Sequence, residues 1–287
     1  MAKGGDYCNK IRAEKGMSKL ELVFVDMILN EKEESGEKAF SNKSSSSYIR
    51  QYLDEKTGFK AKELYKRFYE LCNKVQLPEE QRLKWWTTIR DSYSTHWRYY
   101  FNLNHIYQIL EKFDQFYDTE IYPEESKIII ELAIWFHRIV FIPQIIDSTH
   151  NVKESYNILK QFVEETQYNV VTSEQLSFLQ SLVLSVHRHR QTEVYDNKEQ
   201  DSLNKFFLDI ILSFLGFENE IYKRFASLVK KEYLWVEKSE FKLKRRIILQ
   251  RLLDRERIFI TTEIYDKFEE QARQNLQNEV DETEESK

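Results

Sequence analysis

Glu131-Leu-Ala-Ile-Trp-Phe-His-Arg-Ile-Val-Phe141 is the stretch that decides the fold, because it is apolar on every side except at His137 and Arg138. A helix on a protein surface shows a polar face, so this stretch predicts a helix that is buried all round. Two adjacent polar side chains inside such a helix need a specific role, since a buried charge is costly unless it is paired. His137 and Arg138 are therefore the first candidates for a functional site.

The composition of the 287-residue chain predicts an all-α protein with a large core. Hydrophobic residues make up 41% of the chain and aromatic residues 14%, which is enough to form an extensive apolar interior. Glycine and proline, which interrupt helices, occur only 6 and 3 times. Leucine, isoleucine, glutamate, lysine and glutamine are abundant, and most of these favour helices.

Charge and cysteine content exclude several classes of protein. A net charge of −5 gives no general attraction to nucleic acid or to anionic membranes, so nucleic acid is not an expected partner. Cys8 and Cys72 are too few for a disulfide framework or a zinc site, which favours a reducing, intracellular compartment. The cytoplasm is the first expectation, with an organelle such as a mitochondrion or a cilium as the alternative. No stretch reaches the ~18 apolar residues of a membrane span.

The chain divides into three predicted parts. Residues 1–78 form an N-terminal helical extension that contains the Ser-rich loop 44–47, and residues 279–287 form an acidic, disordered tail. Residues 79–278 form one helical domain. The predicted helices are 18–29, 48–53, 61–75, 79–91, 97–117, 123–143, 151–166, 173–190, 199–215, 217–238, 241–254 and 262–278.

Several unusual motifs follow one another between residues 98 and 276. They are Arg98-Tyr-Tyr-Phe-Asn-Leu-Asn-His105, Ala133-Ile-Trp-Phe-His-Arg138, Asn151 with Ser155, Phe207-Leu-Asp-Ile-Ile-Leu-Ser-Phe-Leu-Gly216, Phe268-Glu269 and Ala272-Arg-Gln-Asn-Leu276. In order and spacing these motifs resemble one branch of the HD-domain superfamily, which consists of small predicted metal-dependent phosphohydrolases. The resemblance implies an HD-domain helical bundle for residues 79–278. It does not by itself imply the activity, because fold and chemistry are separable.

The resemblance also implies where a metal site would lie. In an HD site, two imidazoles and two carboxylates hold a divalent ion that activates a water for attack on a phosphoester. By the motif match, Phe101 replaces the first histidine, His137 is the retained second histidine, and Arg138 replaces an aspartate. The fourth ligand falls either at the retained Asp209 or at Ile211, where the family has a second aspartate, and the sequence leaves this choice open.

Arg138 opposes metal binding in two ways: it supplies no metal ligand, and its positive charge repels a cation. A dication about 4 Å from a guanidinium would lose on the order of 8 kcal/mol at an effective dielectric constant of about 20. We therefore expect no bound metal and no other cofactor. One hypothesis is that the guanidinium occupies the former ion position and pairs with Asp209. The alternative is that Arg138 extends along its stem to solvent.

Other polar residues give weaker signals. His187 and His189 are two positions apart, and on a helix such residues face different directions, so a shared metal ion is not expected. Arg188 replaces a family histidine and, together with Arg138, is a candidate phosphate contact. The retained His105 is expected to form hydrogen bonds between helices. The basic stretch from Lys242 to Arg246 is predicted to be a solvated helix face, with phosphate or nucleic-acid contact as the alternative.

These observations predict a non-catalytic HD-fold protein, a pseudoenzyme that serves as a structural or interaction subunit of a larger protein assembly. Its expected partners are other protein subunits, contacted through the N-terminal extension and the acidic tail. The apolar helix 18–29 is expected to dock either in a groove of a partner or on its own domain. The alternatives are a residual metal-dependent phosphohydrolase and a nucleotide- or phosphate-binding module that uses Arg138 and Arg188.

Overall fold

A computed structural model describes residues 61–145, 149–167, 170–187 and 197–285. In these ranges the chain forms helices and connecting turns and contains no strand, which confirms the predicted all-α class. The helices are α1 (Ala61–Lys74), α2 (Glu79–Tyr93), α3 (Leu103–Phe116), α4 (Ser126–Phe136), α5 (His150–Glu164), α6 (Ser173–Ser185), α7 (Lys198–Leu212), a 3-10 turn (Ser213–Gly216), α8 (Asn219–Glu232), α9 (Lys238–Leu253) and α10 (Thr262–Glu285). None of them is long and apolar enough to cross a bilayer.

Helix α4 lies at the centre of the fold, as its apolar sequence predicts. Its side chains from Ile129 to Phe136 are all buried, and α1, α3, α5 and α6 pack against it. The Trp135 ring lies 5.4 Å from the ring of Phe68 in α1 and 6.4 Å from that of Trp86 in α2, measured between centroids. The expectation that this helix is buried all round is therefore confirmed.

Helix α1 belongs to the same core as the rest of the chain. Leu64, Phe68, Leu71 and Cys72 lie on one face of α1 and are buried, and they join one apolar cluster that extends to the last helix. The predicted boundary at residue 78 therefore falls inside a continuous core. The Ser-rich loop, Cys8 and the predicted helices at 18–29 and 48–53 lie outside the described residues.

The predicted helix 123–143 is too long at both ends, because α4 spans Ser126–Phe136. The backbone turns away after Phe136, where Ile139 N–H donates to the Phe136 carbonyl in a three-residue turn. The pair His137-Arg138 therefore lies just past the end of a buried helix. It does not lie in the middle of one.

Two side chains of α5 hold the segment that follows this turn. The Ser155 hydroxyl accepts a hydrogen bond from Val140 N–H at 3.1 Å and donates to the carbonyl of the same residue at 3.3 Å. The Asn151 amide makes a matching pair of 3.1 Å bonds with the N–H and carbonyl of Ile142. These bonds satisfy backbone groups that would otherwise continue the helix, so α4 ends early.

The predicted disordered tail 279–287 is also corrected, since α10 continues to Glu285. Glu279 accepts two hydrogen bonds from the Arg245 guanidinium at 2.8 and 3.0 Å and one from the Tyr222 hydroxyl. Val280 is buried against the core. These tertiary contacts extend the helix into a stretch whose acidic composition alone predicts disorder. Three further boundaries differ from prediction by five or six residues: helix 97–117 begins at Leu103, helix 173–190 ends at Ser185 and helix 217–238 ends at Glu232.

The closing sequence motif fixes the 3-10 turn against α10. A Cβ added to Gly216 would lie 2.5 Å from the carbonyl oxygen and 2.8 Å from the Cα of Phe268, so only glycine permits this approach. The Asn275 side-chain amide donates to the carbonyls of Leu215 and Phe217, at 2.8 Å each. The motif residues of this region therefore have structural roles.

Candidate functional site

His137 is the first residue after α4, and its imidazole is completely buried. The Nδ1 atom lies 2.8 Å from the carbonyl oxygen of Ile134, which favours the tautomer whose Nδ1–H donates to that carbonyl. Nε2 is then an acceptor, and it has no hydrogen-bond partner among the described residues. Burial, and after it the charge of Arg138, lowers the pKa of His137 to about 3, so the ring is neutral at physiological pH.

Arg138 packs on Phe101. The guanidinium carbon lies 4.0 Å from the centre of the Phe101 ring, within the range of a strong cation–π contact. One of the two sequence-based alternatives was that the Arg138 side chain extends to solvent. The guanidinium instead packs on the Phe101 ring. Two of the candidate site residues are therefore in direct contact.

Asp209 has a different role from the predicted one. Its Oδ2 atom accepts hydrogen bonds from Ile260 N–H at 2.8 Å, from Thr261 N–H at 2.6 Å and from the Thr261 hydroxyl at 2.8 Å. These groups lie immediately before α10, whose first residue is Thr262. Burial raises the pKa of Asp209 to about 7, although these hydrogen bonds act to lower it. The carboxylate fixes the start of the last helix.

Glu232 is a carboxylate whose charge acts on the Arg138 guanidinium. Burial lowers the pKa of Arg138, while the neighbouring Tyr233 and Glu232 act to raise it. Asp209 is bonded elsewhere, because its Oδ2 atom accepts hydrogen bonds from Ile260 N–H and Thr261 N–H at the start of α10. The hypothesis of an Arg138–Asp209 ion pair is therefore wrong.

Sequence reasoning missed Glu232. The residue ends α8, next to Lys230 and Lys231, where its sequence context predicts a solvated position, yet it is buried. Its Oε1 atom accepts hydrogen bonds from the backbone N–H groups of Tyr100 and Phe101, at 2.8 and 2.9 Å. Its Oε2 atom has no hydrogen-bond partner within the described ranges.

The ionisation of Glu232 is governed by its burial. Burial raises its pKa to about 7, against the hydrogen bonds from Phe101 and Tyr100 and the charges of Arg98 and Arg138, which lower it. No sequence signal distinguishes Glu232 from its exposed acidic neighbours, because its partners lie 131 and 132 positions away.

Arg98 joins the loop before α3 to the turn after α4. Its Nη1 atom donates to the Phe101 carbonyl at 2.8 Å and its Nη2 atom donates to the Ile139 carbonyl at 2.9 Å. The guanidinium also lies 4.7 Å from the ring centre of Tyr93 and 5.4 Å from that of Phe141. Burial lowers the pKa of Arg98 to about 10, so it remains a cation at neutral pH.

We call the group formed by Arg98, Phe101, His105, His137, Arg138 and Glu232 the His137 site. The rings of His105 and His137 are 5.8 Å apart, and the ring of Phe101 is 5.2 Å from that of His105. The bonds of Glu232 and Arg98 to the loop carrying Phe101 complete the group. Helix ends and loops from three parts of the chain thus meet around the two buried imidazole rings of His105 and His137.

The His137 site does not fit a divalent metal. Phe101 has no lone pair to donate to a metal, and Arg138 is a cation that repels one. The Oδ2 atom of Asp209 already accepts a hydrogen bond from Thr261 N–H, just before α10. Ile211 is buried in the apolar core. In the described ranges, no three side chains of His, Cys, Asp or Glu are placed so that they could hold a metal ion. The side chains at this place form a cation–π contact between Arg138 and Phe101.

The remaining sequence-based candidates do not join this site. Arg188 and His189 lie outside the described residues, and His187 follows the end of α6. Within the basic stretch, Arg245 is turned inward to Glu279, while Lys244 is exposed and pairs with Glu240 at 2.6 Å. The basic stretch is therefore only partly the solvated face that was predicted.

A separate groove of about 520 Å³ is lined by residues of α1 and α3 and by Glu131. Arg67 donates to Glu131 at 2.7 Å and to both carboxylate oxygens of Asp114 at 2.5 and 2.9 Å. Burial lowers the pKa of Arg67, but these two carboxylates raise it above its ordinary value. The groove's central charges are thus bound to one another, and they connect α1, α3 and α4.

The chain was compared with protein families, curated proteins and solved structures. No protein-family model, no curated protein and no solved structure matches the chain.

Proposed function

We propose that the chain is a non-catalytic protein of HD-domain-like helical architecture that serves as a structural or interaction subunit of a larger protein assembly. The observation that carries this proposal is the contact between Arg138 and Phe101. A metal-dependent hydrolase of this kind needs ligands at those two positions, and here a guanidinium and a phenyl ring pack on each other.

The roles of the motif residues around the site support the same conclusion. Arg98, Asn151 and Ser155 belong to the HD-like motifs, and all three bind backbone groups of the turn after α4. Asp209 binds the backbone at the start of α10. The motif residues thus maintain the fold, which explains how a sequence can keep them without keeping the reaction.

The two alternative functions have less support. A residual phosphohydrolase would need a metal that these side chains do not fit. A phosphate- or nucleotide-binding module has Arg98 and Arg138 as cations beside a neutral His137, but Arg98 is bonded to two backbone carbonyls and Arg138 is stacked on Phe101. Arg188, the other proposed phosphate contact, lies outside the described residues.

One cysteine supports an inference about the compartment. Cys72 is buried as a free thiol, and burial raises its pKa to about 12, so it packs as a small apolar group. We infer a reducing, intracellular setting, with the cytoplasm preferred over an organelle.

The catalytic part of the proposal is tested on the purified full-length chain and its His137→Ala variant. Both are analysed for bound transition metals and assayed with p-nitrophenyl phosphate and nucleoside monophosphates in the presence of Mn²⁺, Zn²⁺ or Fe²⁺. We expect no stoichiometric metal and equal background turnover in the two proteins. Metal-stimulated turnover that His137→Ala abolishes would overturn the proposal, whereas turnover shared by both proteins identifies a contaminating phosphatase. A rise in melting temperature with inorganic phosphate or AMP would instead support the binding module.

The assembly part needs the source cell. The tagged chain is crosslinked in intact cells and then sized by gel filtration. We expect it to elute in a complex much larger than its own 34.9 kDa. Elution as a monomer, with no crosslinked protein, would contradict the role as a subunit.

A further inference from the structure

The outer side of α9 carries large aliphatic side chains that no described part of the chain covers. Leu243, Ile247 and Ile248 are 61%, 42% and 49% exposed, whereas only Leu249 and Leu252 of this helix are buried. Leu243 and Ile247 are four positions apart and so lie one turn apart on the same side of the helix, with Ile248 beside them. Single exposed aliphatic residues are ordinary, but a row of three along one helix is typical of a contact surface.

Charged residues are part of the same row. The exposed residues on this side of α9, which we call the outer face, are Glu240, Leu243, Lys244, Ile247, Ile248 and Arg251. Each member is one or three positions from the next, which is the spacing of a single continuous stripe on a helix. The stripe therefore has a carboxylate at its N-terminal end, a guanidinium at its C-terminal end and aliphatic groups between them.

The outer face is complementary to itself when two copies of α9 pair antiparallel. If the pair is centred between positions 245 and 246, Glu240 of each copy lies level with Arg251 of the other, so that opposite charges meet at both ends of the contact. Ile247 then lies level with the aliphatic stem of Lys244. In a parallel pair each of these charges would face its own copy, which is unfavourable.

The ion pair that Glu240 makes within its own chain is compatible with this contact. Lys244 binds the Oε1 atom of Glu240 at 2.6 Å, and the two side chains remain 66% and 52% exposed. A carboxylate accepts several hydrogen bonds on its two oxygens, so the Oε2 atom can receive a guanidinium from a second chain. Exposed pairs of this kind are weak, so a rearrangement of Lys244 costs little.

We propose that the outer face of α9 binds the outer face of α9 in a second copy of the chain, as an antiparallel pair about a two-fold axis. A contact made by one pair of helices is smaller than a standard interface, and interfaces below about 1,200 Å² are generally weak and transient. The dimer therefore forms and dissociates with concentration. This self-association is independent of the proposed role as a subunit, because it needs no other protein.

Sedimentation equilibrium of the purified full-length chain tests the proposal. Between about 1 and 200 µM, we expect the average mass to rise from 34.9 kDa toward twice that value. Ile247→Glu places a carboxylate in the middle of the outer face and should keep the chain monomeric over this range. The matched control Leu83→Glu changes a leucine on α2 that is 41% exposed, close to the 42% of Ile247, and should dimerise like the wild type.

Two charge reversals test the antiparallel arrangement. Glu240→Arg and Arg251→Glu each place like charges level with one another at both ends, and each should raise the dissociation constant of the dimer on the order of tenfold. The double variant restores opposite charges and should return the constant to within about threefold of the wild type. The substituted side chains are exposed, and circular dichroism and melting temperature check that every variant keeps its fold.

Three results would overturn the proposal. A wild-type chain that stays monomeric at every concentration does not pair through α9, and loss of a crosslinked protein from Ile247→Glu in the source cell would then assign the outer face to a different partner. A dimer that Ile247→Glu leaves intact is formed by another surface. Single charge reversals that weaken the dimer, without recovery in the double variant, exclude the antiparallel pair.

Discussion

The Arg138 guanidinium lies 4.0 Å from the centre of the Phe101 ring, so a cation and an aromatic ring from two separate parts of the chain stabilise each other. Without the Phe101 ring, the half-buried Arg138 guanidinium would have no aromatic face against it. Together they form a contact that needs no ion. The loop before α3 and the turn after α4 are thereby joined through side chains.

This contact predicts a coupled loss of stability. Arg138→Met should lower the free energy of unfolding by about 1–3 kcal/mol, because it removes the cation–π contact and the positive charge near Glu232. In a double-mutant cycle with Phe101→Leu, we expect a coupling of about 0.5–1.5 kcal/mol, measured by urea denaturation. The exposed control Lys66→Met should change stability by less than about 0.5 kcal/mol. Strictly additive effects would show that the contact contributes nothing.

Glu232 predicts a pH dependence. Its pKa of about 7 in the folded chain exceeds the ordinary glutamate value, so between about pH 4.5 and 7 the folded state binds more protons than the unfolded state. The contribution of Glu232 to stability is therefore present at low pH and is lost as the pH rises through this window. The stability of the wild type relative to Glu232→Gln should be greater at pH 5 than at pH 8, by chemical denaturation. The opposite trend would mean that Arg98 and Arg138 outweigh burial.

The capping role of Asp209 predicts unequal effects of two substitutions. Asp209→Ala removes the acceptor for Ile260, Thr261 and the Thr261 hydroxyl, and should cost about 2–4 kcal/mol. Asp209→Asn keeps a carbonyl oxygen at this position and should cost less than about half as much. Hydrogen exchange at the start of α10 should rise in the alanine variant only. Equal and small effects would contradict the capping role.

The shared arginine of the groove offers a matched comparison. Arg67→Met leaves Glu131 buried without its cation and should cost about 3–5 kcal/mol. Asp114→Ala removes the other, largely exposed partner of the same guanidinium and should cost no more than about 1 kcal/mol. Thermal and urea unfolding of both variants gives the comparison. A similar loss of stability in both variants would mean that the burial of Glu131 does not determine the strength of the Arg67–Glu131 ion pair.

Gly216 predicts a steric effect. Gly216→Ala would bring a methyl group against the Cβ and backbone of Phe268 and should cost about 1–3 kcal/mol or more. Because the opposing atoms are Cβ and backbone, Phe268→Ala should not relieve the clash. Full rescue of Gly216→Ala by Phe268→Ala, judged by melting temperature, would place the conflict in the aromatic ring instead.

Local sequence patterns predict much of the fold. The apolar run before His137 predicts a central helix buried on all sides, and the spacing of Leu64, Phe68 and Leu71 predicts the buried face of α1. Both signals depend on residues close in sequence, which is why periodicity reveals them.

The site depends on contacts that no local pattern contains. Glu232 meets Tyr100 and Phe101 across more than a hundred residues, and its sequence neighbours are exposed lysines. Helix α4 ends where side chains from α5 bind its backbone, and α10 continues because Arg245 binds Glu279. In each case a tertiary contact overrides the local preference for helix or disorder.

The bond between Asp209 and Thr261 also affects how this chain can evolve. A metal site at this place would require imidazole and carboxylate at the positions occupied by Phe101 and Arg138, and it would also require freeing the Asp209 oxygen that fixes the last helix. Each such substitution taken singly removes a stabilising contact before any ion is bound. A metal site here is therefore reached only through less stable intermediates.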